Sequence, residues 1–265
     1  MPPVTHLSLT SRHALVCGAS QGIGAATARA FAAAGATLTL LARTASKLEA
    51  MVEPLKAAGA PAVHVLVADL DDREAFEGAV TAWLQAHGPV HIVVHNTGGP
   101  KGGPLLEAST DAIEGAIGRH LLTAHRLLQL TLPGMRSAGY GRFIQVLSTS
   151  VREPIDRLGV SNLTRAAVAS WAKTMSRELP SGVTINNVLP GFTDTERLDQ
   201  LMGAAAERTG TTPDRVREAW IATVPEGRLA HPDETASVIL FLASEGASYV
   251  RGTSIPVDGG RLRSI

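Results

Sequence analysis

Short apolar runs alternate with longer amphipathic ones along this chain. HALVC at 13–17, TLTLLA at 37–42 and VHVLVA at 63–68 are separated by GIGAATARAFAAAGA and SKLEAMVEPLKAAGA, where Ala and Leu recur at helical spacing. Alternation of this kind predicts βαβ units in a parallel sheet. Four more strand-like runs at 90–94, 142–147, 183–189 and 253–257 bring the expected sheet to about seven strands. Nearly every strand position is apolar, as expected where helices cover both faces, so the predicted fold is a doubly wound α/β sheet. No charge run, Ser/Gly-rich linker or internal repeat divides the chain, and 1–265 reads as a single domain. The segment 192–223 interrupts the alternation and reads as an irregular, mobile flap with a helix starting at Thr212-Pro213.

Composition narrows the class. A chain of 265 residues, 45% hydrophobic, can bury a large core. Lys plus Arg and Asp plus Glu are 24 each, so no net field favours nucleic acid or an anionic membrane, and a small-molecule partner is expected. The lone Cys17 excludes an internal disulfide and any multi-cysteine metal cluster. MPPVTHLSLTSRH lacks the apolar centre of a signal peptide, and no apolar run reaches about twenty residues, so a soluble cytoplasmic protein is expected. No spacing of His, Asp and Glu suggests a metal site, and no GxSxG elbow follows a strand.

The first chemical signal follows the first strand. CGASQGIG carries Gly18, Gly22 and Gly24 at the entrance to a helix. Glycine permits a sharp turn and close backbone approach to a diphosphate, and the helix N-terminus adds N–H donors and a positive dipole end. The turn, with Ser20, Gln21 and Ile23, therefore reads as a dinucleotide cradle. At the end of the second strand, where many dinucleotide enzymes place an acid for the ribose 2′-OH, this chain has Arg43. An arginine suits a 2′-phosphate, which points to NADP(H) over NAD(H). Asp69, followed by Leu70 in VADL, is either part of the same site or a helix N-cap.

These residues, with others further on, resemble the short-chain dehydrogenase/reductase family. Its TGxxxGxG has Cys17 in the threonine place; its NNAG is similar to His95-Asn96-Thr97-Gly98. Its N-x-x-x-PG-x-x-x-T resembles Asn187 to Gly191 with Thr193 and Thr195, and its C-terminal YxxGxxxxVDGG resembles Tyr249 to Gly260. The likeness covers about Ser8 to Gly260. It implies a Rossmann-type fold and an oxidoreductase acting on a ketone or alcohol, possessing 3-oxoacyl compounds among its substrate types. It also implies cofactor contacts from Asp69, Asn96, Gly98, Pro190, Gly191, Thr193 and Thr195. Finally, it implies a homodimer or homotetramer packed through helices at 120–136 and 161–179, where Trp171 and Met175 are either interface or core.

The catalytic motif departs from the family. In SNLTRAAVASWAK, Ser161 and Arg165 are four residues apart, so a helix brings both to one ligand, or Ser161 merely caps that helix. Aligned on Ala166-Ala167-Val168, the pair is an altered YxxxK. Thirteen residues back, Ser148 retains the family serine, and His120 stands at the family's asparagine place. A serine is a far weaker acid than a phenol of pKa about 10, and a guanidinium stays charged. The resemblance therefore implies that Arg165 keeps the hold on the nicotinamide ribose while the proton donor is lost. Imidazole titrates near neutrality, so His120 is expected either to supply the proton while Ser148 binds the carbonyl oxygen, or to be a packed helix residue. His125 competes only if the helix register shifts; His95 is expected to support its loop and His231 to open a helix at Pro232. Leu105, Leu106, Phe192, Leu198, Leu201, Met202 and Trp220 read as pocket wall or core. Three functions fit: an NADP(H)-dependent oxidoreductase with a small carbonyl or alcohol substrate, an NADP(H)-binding sensor or partner subunit without hydride chemistry, and a lyase or isomerase on the same fold.

Overall fold

A computed structural model describes residues 7–264, and the first six residues of the stretch read for a signal sequence lie outside them. Seven strands form one parallel sheet: β1 (His13–Cys17), β2 (Thr37–Ala42), β3 (Val63–Val67), β4 (Ile92–Asn96), β5 (Gly141–Val146), β6 (Val183–Pro190) and β7 (Ser254–Val257). Their spatial order is β3-β2-β1-β4-β5-β6-β7. The order reverses between β1 and β4, which opens a crevice at their carboxyl ends. The fourth strand begins later than its apolar run, because Val90 is buried ahead of the first paired residue, Ile92. An apolar run marks burial, not where ladder bonds begin.

Helices cover both faces. On one side α1 (Gly22–Ala33), α2 (Ala45–Ala57) and α9 (Pro232–Ala243) bury Phe31, Leu48 and Ile239 against Leu38 and Leu40 of β2. On the other, α3 (Arg73–His87), α5 (Thr123–Ser137) and α6 (Gly159–Glu178) bury Phe76, Leu127 and Ala172 against Phe143 and Ile185. Each fully buried Phe or Leu contributes roughly 1.5–3 kcal/mol of apolar transfer. Trp171 and Met175 pack against this second core; the Trp171 Nε1–H donates to His125 Nδ1 at 3.3 Å. A short α4 (Thr110–Ile117) runs into α5 through a π turn at Gly118–Leu122.

The expectation of an irregular 192–223 segment is corrected. It contains α7 (Glu196–Thr209) and α8 (Pro213–Ile221), whose Leu198, Met202, Ala205 and Val216 form a small core of their own. Phe192 stacks on Trp220 with ring centroids 4.9 Å apart. The many charges in ERLDQLMGAAAERT hid an apolar stripe at helical spacing. Thr212 does begin α8, accepting the Arg215 N–H at 3.3 Å with Pro213 following. His231 caps α9 in a reciprocal arrangement with Glu234. Leu106 is fully solvent-exposed and forms no pocket wall. Among the described residues no helix is long and apolar enough to cross a membrane, and no group of His, Cys, Asp and Glu is arranged to hold a metal.

Candidate active site

A cavity of about 660 Å³ opens over the crevice between β1 and β4. The turn after β1 shapes one end. Gly18 and Gly22 have φ of +62° and +54°, values that disfavour any side chain. A Cβ on Gly24 would lie 2.0 Å from the Gly18 carbonyl oxygen, so glycine there lets α1 sit directly on the turn. Neither an acidic residue in its first turn nor a side-chain cap occupies the N-terminus of α1, which leaves its N–H groups facing the cavity. Ser20, Gln21, Gly22 and Ile23 line this end, whereas Gly24 lies behind it.

Arg43, exposed at the end of β2, lines the same space together with Lys47, which donates to Gln21 Oε1 at 3.3 Å. Asp69 and Leu70 form the adjoining wall. Asp69 accepts the Asp71 N–H at 3.0 Å and caps nothing; Asp72 caps α3 through the Ala75 N–H. Asn96 donates to the Gly18 carbonyl at 3.5 Å and, with Gly98, continues the lining. Opposite, Pro190, Gly191, Thr193 and Thr195 also line the cavity, and Thr195 caps α7.

At the other end the structure brings Ser148, Ser161 and Arg165 into one cavity wall. Ser161 is inside α6, which starts at Gly159, so it is not a helix cap. Its Oγ accepts the Arg165 Nε–H at 3.2 Å, and Ser148 Oγ accepts the Ser150 N–H at 3.1 Å. Each hydroxyl thus keeps its own proton free to donate. Arg165 is 8% exposed and donates through Nη1 to the Val146 and Leu147 carbonyls at 3.0 and 2.9 Å. Burial, and secondarily the charge of Arg197, pulls its guanidinium down to about 10, so it remains charged at neutral pH.

His120 is corrected as a titrating acid. It lies in the π turn, 2% exposed and off the cavity wall, and neither ring nitrogen makes a well-formed hydrogen bond among the described residues, the Gly98 backbone giving only a weak contact. Burial first, then the charges of Arg165, His95 and Arg119, push it down to about 2, opposed only by the Gly98 backbone. Desolvation therefore favours the neutral ring. His95 sits within β4 and does not support the following loop through its ring: Nδ1 lies 2.7 Å from Gln145 Oε1 of β5 and Nε2 3.2 Å from Thr123 Oγ1 of α5. Burial lowers it to about 4. His125 faces Trp171, away from the cavity.

Several lining residues escaped sequence reasoning, among them the cations Lys47, Arg119 and Arg197. Lys47 lies in the first turn of α2, just beyond the loop that carries Arg43, and no motif marks it. Arg197 belongs to no motif; its Nη2 donates to the Pro100 carbonyl at 2.8 Å, and it fits because Gly99 has no Cβ, whose ideal position is 3.1 Å from Nη2.

The chain as a whole is matched by known proteins. The profile of the family described as Enoyl-(Acyl carrier protein) reductase matches residues 18–261. The 3-oxoacyl-[acyl-carrier-protein] reductase FabG of Pseudomonas aeruginosa is 34% identical, across 97% of this chain and 100% of its own. The chain belongs to the short-chain dehydrogenase/reductase family. Among short-chain dehydrogenase/reductase structures, L-sorbose reductase from Gluconobacter frateurii, complexed with NADPH and L-sorbose, superposes with a TM-score of 0.91 at 27% identity, covering 98% of this chain and 99% of that one. A 3-oxoacyl (acyl-carrier-protein) reductase from Agrobacterium tumefaciens C58 with NADP bound gives 0.86 at 27% identity, covering 98% of each chain.

Proposed function

We propose that this protein is an NADP(H)-dependent oxidoreductase that interconverts a ketone and its alcohol. The observation that carries the reading is a single cavity holding both a dinucleotide cradle and two hydroxyls with free protons beside a buried guanidinium. NADP(H) fits the residues present. The uncapped N–H groups of α1 and the positive-φ glycines suit a diphosphate, and Arg43 with Lys47 suits a 2′-phosphate. When bound, the cofactor supplies or accepts the hydride.

The chain's own residues do the rest. Ser148 and Ser161 donate hydrogen bonds to the substrate carbonyl oxygen and polarise it. As negative charge develops on that oxygen, Ser161 passes it a proton and regains one from cavity water. The adjacent Arg165 charge stabilises the serine oxygen in between, which partly offsets the weakness of an alkyl alcohol as an acid. With the cofactor bound, Arg165 would also hold the nicotinamide ribose. The helices α7 and α8 act as the flap over the substrate end, and exposed Leu122 and Leu163 on α5's approach and α6 mark the face of a dimer or tetramer.

One observation favours a second reading, a cofactor-binding protein without hydride chemistry. Neither tyrosine can replace the missing phenol: Tyr140 is buried with its OH donating to the Ala243 carbonyl, and Tyr249 is fully exposed. The test is NADPH oxidation across ketones, diketones, quinones and 3-oxoacyl thioesters by the natural chain and by Ser161→Tyr/Arg165→Lys. Turnover by the natural chain that falls in Ser161→Ala supports the enzyme. NADPH binding without turnover, with activity gained only in the double variant, supports the binding protein.

A further inference from the structure

Two arginines face the substrate end with no anion to balance them. Arg165 comes from α6 and Arg197 from α7, and both line the cavity. Among the described residues neither has a carboxylate partner, whereas Arg119, on the same cavity wall, is paired with Asp71, and Arg228, outside it, with Glu234. Glu196 also lines the cavity and pairs with neither. Backbone carbonyls take some of their donors: Nη1 of Arg165 meets Val146 and Leu147, and Nη2 of Arg197 meets Pro100. Nη2 of Arg165, in a side chain more than nine-tenths buried, and Nε and Nη1 of Arg197 have no protein acceptor among the described residues.

Carbonyl oxygens satisfy N–H groups but not net charge, and two guanidiniums drawn partly out of water are unfavourable without an opposite charge. The cofactor's own phosphates have their donors at the far end, on the α1 N-terminus, Arg43 and Lys47. The unbalanced charge is therefore left for the substrate. Leu158, Leu198 and Leu201 line the same end, which suits a short apolar body attached to the charged group.

We propose that the substrate is an oxo acid, its carboxylate held by the planar fork of Arg197 within the field of Arg165, and that Arg197 is the residue that selects it. This rests on the oxidoreductase reading for the reaction, but the anion site can be measured without it.

Acetoacetate, levulinate and longer oxo acids are compared with their methyl esters, and with one phosphorylated ketone, by NADPH oxidation. In parallel, levulinate is titrated calorimetrically into the protein with and without NADP⁺, where no reduction can occur. The acids are expected to exceed their esters in kcat/KM. Arg197→Gln should lower the acid's kcat/KM on the order of 100-fold, the worth of one charge-assisted hydrogen bond, and the ester's far less, so that the preference collapses. Arg197→Lys should restore part of it. Equal losses for acid and ester, a preference for the phosphorylated ketone, or absence of both preference and levulinate binding would each overturn the proposal. Levulinate binding that Arg197→Gln abolishes, in a protein that reduces nothing, would instead sink the oxidoreductase reading and leave the anion site standing.

Discussion

Lowering the pH should unfold this protein through its buried histidines. His95 and His120 are held neutral, lowered from 6.5 to about 4 and about 2, with burial the leading cause in both. A folded-state value below the unfolded one means the unfolded chain binds more protons under acid conditions, so stability is complete above the ordinary value and is lost as pH falls toward the folded one. Between about pH 7 and pH 5 each of these two groups withdraws about 2 kcal/mol, because its unfolded form takes up a proton that the folded form refuses. Together that is about 4 kcal/mol, a large share of a typical 5–15 kcal/mol. His13, lowered to about 4 by burial and by neighbouring His64, His91 and His87, acts in the same direction. Urea unfolding followed by tryptophan fluorescence at several pH values measures this directly. The unfolding free energy should drop by at least about 4 kcal/mol across this range, and His120→Leu should remove about 2 kcal/mol of the drop. A free energy independent of pH, or a His120→Leu variant with the full slope, would refute the argument.

Other expectations are as concrete. Gly24→Ala would place a Cβ 2.0 Å from a backbone oxygen, so α1 must shift off the turn; NADPH affinity should weaken at least about tenfold by calorimetry. Arg43→Asp should cut the ratio of NADPH to NADH efficiency by on the order of 100-fold, since it replaces a charge-assisted bond with repulsion, and steady-state kinetics with both cofactors checks it. Ser148→Ala and Ser161→Ala should each lower kcat by about 10²–10³ while leaving the NADPH dissociation constant within about threefold, which separates carbonyl activation from cofactor binding.

The sheet was legible because its strands are buried on both sides and so read as continuous apolar runs, and the cradle because only glycine tolerates its φ values. Every cofactor position named from the sequence except Gly24 reaches the cavity wall. What escaped did so for physical reasons. The helices α7 and α8 carry enough charge to mask their stripe, and the π turn at Gly118–Leu122 leaves no mark in composition, although it sets where His120 points. Titration of His120 depends on burial and on charges from three other residues, all brought close only by the fold. Arg197 belongs to no motif and earns its place through a gap left by Gly99 on another loop.

The separate core of α7 and α8 bears on how the cleft opens. Leu198, Met202, Val216 and Trp220 are satisfied among themselves, and the pair is tied to the body by few bonds, among them Arg197 to Pro100. Such a unit can swing out as one piece at a small fraction of the global unfolding free energy, without disturbing the sheet. In native-state hydrogen exchange, amides of both helices should therefore open together and long before those of β4 and β5, and occupants of the cleft should slow that opening by their own binding free energy.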